Sequence, residues 1–170
     1  GLASQGAFGT RQVITDEASF VGSVHPADLD GDSGMDVLSA SSGDNSIGWY
    51  KYIPGRGGFA EEQFVAAAVN GAGSVYAADL DGDGDLDVRA ASCCDDTVGW
   101  YENRDGRGSI GSQQAITSEA DGVRDVHAAD LDGDGDLDVL SASYKDDTIA
   151  WYENTDGLGS FGAEQAITAS

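Results

Sequence analysis

Three gapless copies of a 51-residue period, four short strand signals per copy and no sustained helical period predict an all-β fold of β-propeller blades. Each blade is expected as a four-stranded antiparallel sheet, over residues 20–68, 71–119 and 122–170 approximately. Residues 1–19 are expected to add one extra outer strand, about Arg11–Thr15, and its loop, within a single repeat domain. Trp49, Trp100 and Trp151 align, each followed by a tyrosine (Tyr50, Tyr101, Tyr152). So do Phe8, Phe59, Ile110 and Phe161, and Gln12, Gln63, Gln114 and Gln165. The 170 residues are three periods plus 17, so the chain ends in the phase in which it began.

The third copy serves to justify the strands in order. The first strand, about Asp125–Ala129, runs into an acidic loop. The second, Asp138–Ser143, puts Val139, Ser141 and Ser143 on one side and Leu140 and Ala142 on the other. The third, Thr148–Glu153, is rich in β-branched and aromatic residues, and the fourth is Glu164–Thr168. Turn-forming residues fill Tyr144–Asp147 and Asp156–Gly159 between them. Small residues in the first two strands (Ala27, Ala40, Ala78, Ala91, Ala129, Ala142) let neighbouring blades approach near an axis. The Trp-Tyr pair supplies bulk farther out. Pro26 cannot donate to a ladder, so the first strand is expected at the inner edge of its sheet.

The loop after each first strand carries the chemistry. Asp130, Asp132, Asp134, Asp136 and Asp138 occupy positions 1, 3, 5, 7 and 9 of a nine-residue run. Asp79, Asp81, Asp83, Asp85 and Asp87 repeat that pattern, and Asp28, Asp30, Asp32 and Asp36 repeat it with Gly34 at position 7. Like charges at this density repel unless a cation lies among them. Every donor is a hard oxygen, which favours calcium over zinc or copper. Because position 7 varies, a backbone carbonyl is expected to serve there. The twelfth loop position is Ser39, Ala90 or Ser141, and a strand follows it, so these are not EF-hands. Three Ca²⁺ per chain are expected.

The Asp-Leu-Asp-Gly-Asp-Gly-Asp-Leu-Asp-Val run, Ala-Trp-Tyr-Glu-Asn at 150–154 and Phe-Gly-Ala at 161–163 resemble FG-GAP/VCBS repeats, the calcium-binding blades of integrin-α-like β-propellers. The resemblance spans essentially the whole chain. Local departures are Ile110-Gly111 and Phe59-Ala60 in place of Phe161-Gly162, and Arg89 in place of Leu38 and Leu140. It implies closed rings, usually of seven blades, with ligands bound on the face opposite the calcium loops. Loops 42–46, 93–97 and 144–148, with 67–74 and 118–125, are expected on that face.

Three blades are fewer than the four to eight that close a propeller. Either the chain comes from a longer array or copies of it complete a ring, a head-to-tail dimer being the first expectation. A net charge of −23, with only 8 Lys and Arg, argues against nucleic acid and against anionic membrane surfaces. No stretch approaches the roughly 20 apolar residues of a membrane span. No signal peptide is evident at Gly1, so a processed product or excised fragment is expected. Adjacent Cys93 and Cys94 provide no disulfide framework. Calcium loops of this type suit an extracellular or cell-surface setting.

Catalysis finds little support. His25 and His127 share a position that Tyr76 holds in the second copy, which suits packing or lining of a channel. No Gly-x-Ser-x-Gly elbow appears. The tryptophan row is expected in the core between blades rather than as a sugar platform. The expected function is a non-catalytic binding or adhesion module for carbohydrate or protein ligands. The alternatives are an accessory domain of a larger secreted hydrolase or lyase, and an architectural cell-surface array.

Overall fold

A computed structural model describes residues 10–168. Its first blade comprises β1 (Val21–Ala27), β2 (Asp36–Ser41), β3 (Ser46–Tyr50) and β6 (Gln63–Ala66), with the short hairpin β4 (Tyr52–Ile53) and β5 (Gly58–Phe59) inserted before β6. The second comprises β7 (Ala72–Ala78), β8 (Asp87–Ser92), β9 (Thr97–Tyr101) and β10 (Gln114–Thr117). The third comprises β11 (Val123–Ala129), β12 (Asp138–Ser143), β13 (Thr148–Tyr152) and β14 (Gln165–Thr168). Each blade is an antiparallel meander in chain order, β1-β2-β3-β6, β7-β8-β9-β10 and β11-β12-β13-β14. Isolated bridges Asn103↔Ile110 and Asn154↔Phe161 stand where the first blade has its extra hairpin.

Register repeats with the sequence. His25 faces Leu38, Tyr76 faces Arg89 and His127 faces Leu140, and each first strand is bulged near its start. The first strands lie at sheet edges and pack beside one another, β1 against β7 and β7 against β11. Pro26 therefore sits on an edge strand, where its missing N–H is harmless.

The core lies between blades. Leu38, Ala40, Ile47 and Trp49 of the first blade pack against Val75, Ala77, Val88, Ala90 and Tyr101 of the second. Val98 and Trp100 of the second pack in the same way against Val126, Val139 and Tyr152 of the third. Trp49 and Trp100 are buried, as expected of residues between blades, whereas Trp151, on the last described blade, is half-buried. The three sheets do not close into a ring.

One expectation fails. Residues 10–20 contain no strand, so Arg11–Thr15 is not the extra outer strand the repeat phase suggested, and Phe8 lies outside the described residues. The segment nevertheless lies across the open face of the first blade, where it and Val24, Val37, Ser39 and Tyr50 border a cavity of about 300 Å³. It takes the place that a preceding blade's fourth strand would fill. A fourth strand needs a third strand to pair with, and among the described residues none lies beside this segment.

Candidate metal centre

Each link between a blade's first and second strands is one aspartate loop. In the loop between β7 and β8, Gly82 N–H donates to Asp79 Oδ1 at 2.8 Å and Gly84 N–H to Asp79 Oδ2 at 3.1 Å. Asp83 N–H donates to Asp81 Oδ1 at 3.3 Å and Asp85 N–H to Asp83 Oδ1 at 2.8 Å. The loop between β11 and β12 repeats all four bonds through Asp130, Asp132 and Asp134. These are Asx-type turns, in which short carboxylates fold the backbone around themselves. Gly82 and Gly84, at φ of 73° and 94°, supply the left-handed conformation that the tight path requires.

The turns gather three carboxylates in each loop: Asp28, Asp30 and Asp32; Asp79, Asp81 and Asp83; Asp130, Asp132 and Asp134. Within each triad one ligand oxygen per residue lies within 4.8 Å of the others. Oxygens sharing one calcium lie at most about 5 Å apart, twice the metal–oxygen distance. Two oxygens of the first loop, Asp28 Oδ1 and Asp30 Oδ1, are buried with no hydrogen-bond partner, as a cation ligand would be. Donor type and spacing therefore both fit Ca²⁺. Burial, and then the charges of Asp83, Asp79 and Glu102, raise the Asp81 pKa.

The remaining expected ligands stand apart from the triads. Asp36, Asp87 and Asp138, at position 9, are almost fully buried. Each accepts one backbone amide from the second position of its own loop and one from just past the third strand: Leu29 and Tyr52 for Asp36, Leu80 and Asn103 for Asp87, Leu131 and Asn154 for Asp138. Burial pushes Asp87 up to about 7 against those two amide bonds. These aspartates tie the loop to the end of the third strand. At position 7, Asp85 and Asp136 lie against Gly106 and Gly157 of their own blades, and Gly34 offers only backbone.

Lys51 escaped the sequence reading, and Arg89 entered it only as a departure from Leu38 and Leu140. Lys51 reaches into the first loop, its Nζ paired with Asp30 and 3.1 Å from Asp32. The same repeat position holds Glu102 and Glu153, and that change of sign was the available signal. Arg89 is wholly buried, its guanidinium 4.5 Å from the centre of the Tyr76 ring and without a hydrogen-bond partner. Burial pushes its pKa down to about 10. Along the first strands, Tyr76 stacks between His25, at 3.9 Å, and His127, at 5.6 Å.

On the side away from the metal loops, the turns between second and third strands are bonded to the loops that lead into each blade. Ser42 N–H donates to Phe20 O, Cys93 N–H to Gly71 O and Tyr144 N–H to Gly122 O. The varied side chains of these turns thus share one rim. Cys93 and Cys94 are both free thiols there, their sulfurs 3.6 Å apart.

A family model described as FG-GAP-like repeat matches residues 28–89, 90–141 and 130–170. No curated protein matches the chain. Among solved structures, an Agrocybe aegerita lectin, described as specifically recognising non-reducing terminal N-acetylglucosamine, superposes with a TM-score of 0.58 at 23% identity. The alignment covers 86% of this chain and 38% of that one, so the chain spans well under half the lectin's length, and the likeness is one of fold. With repeat matches running from residue 28 to residue 170, the chain belongs to the FG-GAP-like repeat family.

Proposed function

We propose that the chain is a non-catalytic, calcium-stabilised binding module that works outside the cell. The observation that carries this reading is the three-fold recurrence of an all-oxygen aspartate triad in the same turn of each blade. Extracellular calcium modules bind with Kd of about 10⁻⁴–10⁻³ M, so millimolar calcium fills such loops and cytosolic calcium does not. The metal relieves carboxylate repulsion in each loop and thereby fixes the first and second strands of its blade. The rim of varied turns opposite, including Ser42–Asn45, Cys93–Asp96 and Tyr144–Asp147, is the surface for a carbohydrate or protein ligand. The fold shared with a sugar-recognising lectin supports carbohydrate as the first class to screen.

Calorimetric calcium titration of the chelator-treated protein, followed by a glycan array in calcium, tests the reading. Calcium uptake of two to three equivalents, with glycan binding lost in chelator, is the expected outcome. Absence of calcium uptake at millimolar concentration would remove the basis for the module as described.

A further inference from the structure

We propose that the two end faces of the chain take a second copy of it, head to tail, so that two chains complete one six-bladed ring. The two internal boundaries between blades show what such a contact requires, because they are built from the same repeat positions. At the first, Asn103 Nδ2 donates to Leu29 O at 2.8 Å, and Val69 N–H and Gly71 N–H donate to Asn45 O and Oδ1 at 2.8 and 3.0 Å. At the second, Asn154 Nδ2 donates to Leu80 O at 2.8 Å, and Ala120 and Gly122 N–H donate to Asp96 O and Oδ1 at 2.9 and 2.8 Å. Gly108 lies against the Trp49 ring and Gly159 against the Trp100 ring, closely enough that no Cβ would fit. Gly31 and Gly82 lie against the Gly106 and Gly157 carbonyls of the following blade.

Each of these positions recurs, open, at the ends. On the last blade, Leu131 is 43% exposed where Leu29 and Leu80 are 1%, and Gly133 has no neighbour where Gly31 and Gly82 have one. Trp151 is half-buried where Trp49 and Trp100 are buried. Asp147 keeps the left-handed backbone, φ 56°, of Asn45 and Asp96, although no following blade donates to it. On the first blade, Gly55 and Gly57 stand free where Gly106 and Gly108 are engaged. Val24 is 65% exposed, against 2% and 1% for Val75 and Val126. Phe20 holds φ 50° at the position of Gly71 and Gly122, so its amide is held in the same left-handed backbone. One anchor departs, since Tyr52 stands in place of Asn103 and Asn154.

A front face matching a back face is a heterologous contact, which closes when the rotation allows it. Six blades fall within the range that closes a propeller. Ile14 lies where Val65 and Ile116 lie in their blades, so Ile167 of the second copy comes to the same place and one of the two segments gives way.

Light scattering on the full chain in millimolar calcium tests this, with Val24→Asp marking the front face and Ile149→Asp the back. Both side chains are exposed in the single chain, so neither change disturbs its fold, and melting of each variant checks that. The expected result is twice the 17.4 kDa chain mass for the parent, monomer for each variant alone, and pairs when the variants are mixed, because one intact contact is restored. A parent that stays monomeric at high micromolar concentration would overturn the proposal. So would a dimer that the mixture fails to restore.

Discussion

The first aspartate loop and the other two share a backbone plan but differ in how their charge is balanced. The first has four aspartates and a lysine, with Gly34 at position 7 and Lys51 at the end of the third strand. The second and third each have five aspartates and a glutamate, Glu102 or Glu153, at the position of Lys51. An ammonium among the carboxylates relieves part of the repulsion that a metal ion would relieve, so the first loop should hold together with less help from metal. Among the described residues, no lysine or arginine pairs with the aspartates of the other two. The difference teaches that a repeat can keep the shape of an acidic loop while changing how its charge is balanced.

Removing calcium should have the largest effect, and it should fall mainly on the second and third loops. A site held at about one hundred times its Kd contributes roughly 2.7 kcal/mol, so two such sites give about 5 kcal/mol. For a chain of this size that corresponds to a fall in melting temperature on the order of 10–20 °C in chelator. Hydrogen exchange should show protection lost around Asp79–Asp87 and Asp130–Asp138 before Asp28–Asp36. Uniform loss across the three loops would break the comparison.

Asp87→Ala comes next, because position 9 serves all three loops alike. The substitution strands the buried amides of Leu80 and Asn103, at about 1–3 kcal/mol for each. Melts should therefore show most of the loss both with calcium and with chelator. Asp83→Ala is the contrasting case. Its carboxylate belongs to the triad and accepts one exposed amide, that of Asp85. Its cost should be about 2–3 kcal/mol in saturating calcium and little in chelator. Equal costs under both conditions would mean that the loop acts without metal.

Much of this was legible in the sequence because the 51-residue period lets each copy check the others. The bounds of β12 match those read from the alternation of Asp138–Ser143, and β13 and β14 differ by one residue at one end. First-strand starts were less visible. β11 begins at Val123 rather than Asp125, because a bulge between those residues interrupts the alternation. Arg11–Thr15 looked like a strand because Gln12 aligns with Gln63, yet strand state depends on a paired neighbour that local sequence does not contain. The triads were visible as spacing. Lys51 and Arg89 were not, since a repeat reading treats single departures as drift, and each acquires its meaning from a contact that spacing does not reveal: Lys51 with residues 21 and 19 positions earlier, Arg89 with the Tyr76 ring across the ladder.

Lys51→Glu should have the smallest effect on overall stability and bears most directly on the comparison. It gives the first loop the charge pattern of the second and third at that position, leaving Gly34 as the remaining difference in charge. In chelator the ion pairs to Asp30 and Asp32 are lost. Partly exposed pairs contribute at most about 1 kcal/mol, so the melting temperature should fall by a few degrees at most. In calcium the direction reverses. Without the ammonium competing for Asp30 and Asp32, the triad is free to hold the ion, and the added carboxylate strengthens attraction to it. The gap between melting temperatures in calcium and in chelator should therefore widen relative to the parent. Glu102→Lys should narrow it from the other side by giving the second loop a resident cation. If both variants kept the parent's calcium response, charge at this position would not set the loops apart, and their difference would rest on Gly34 instead.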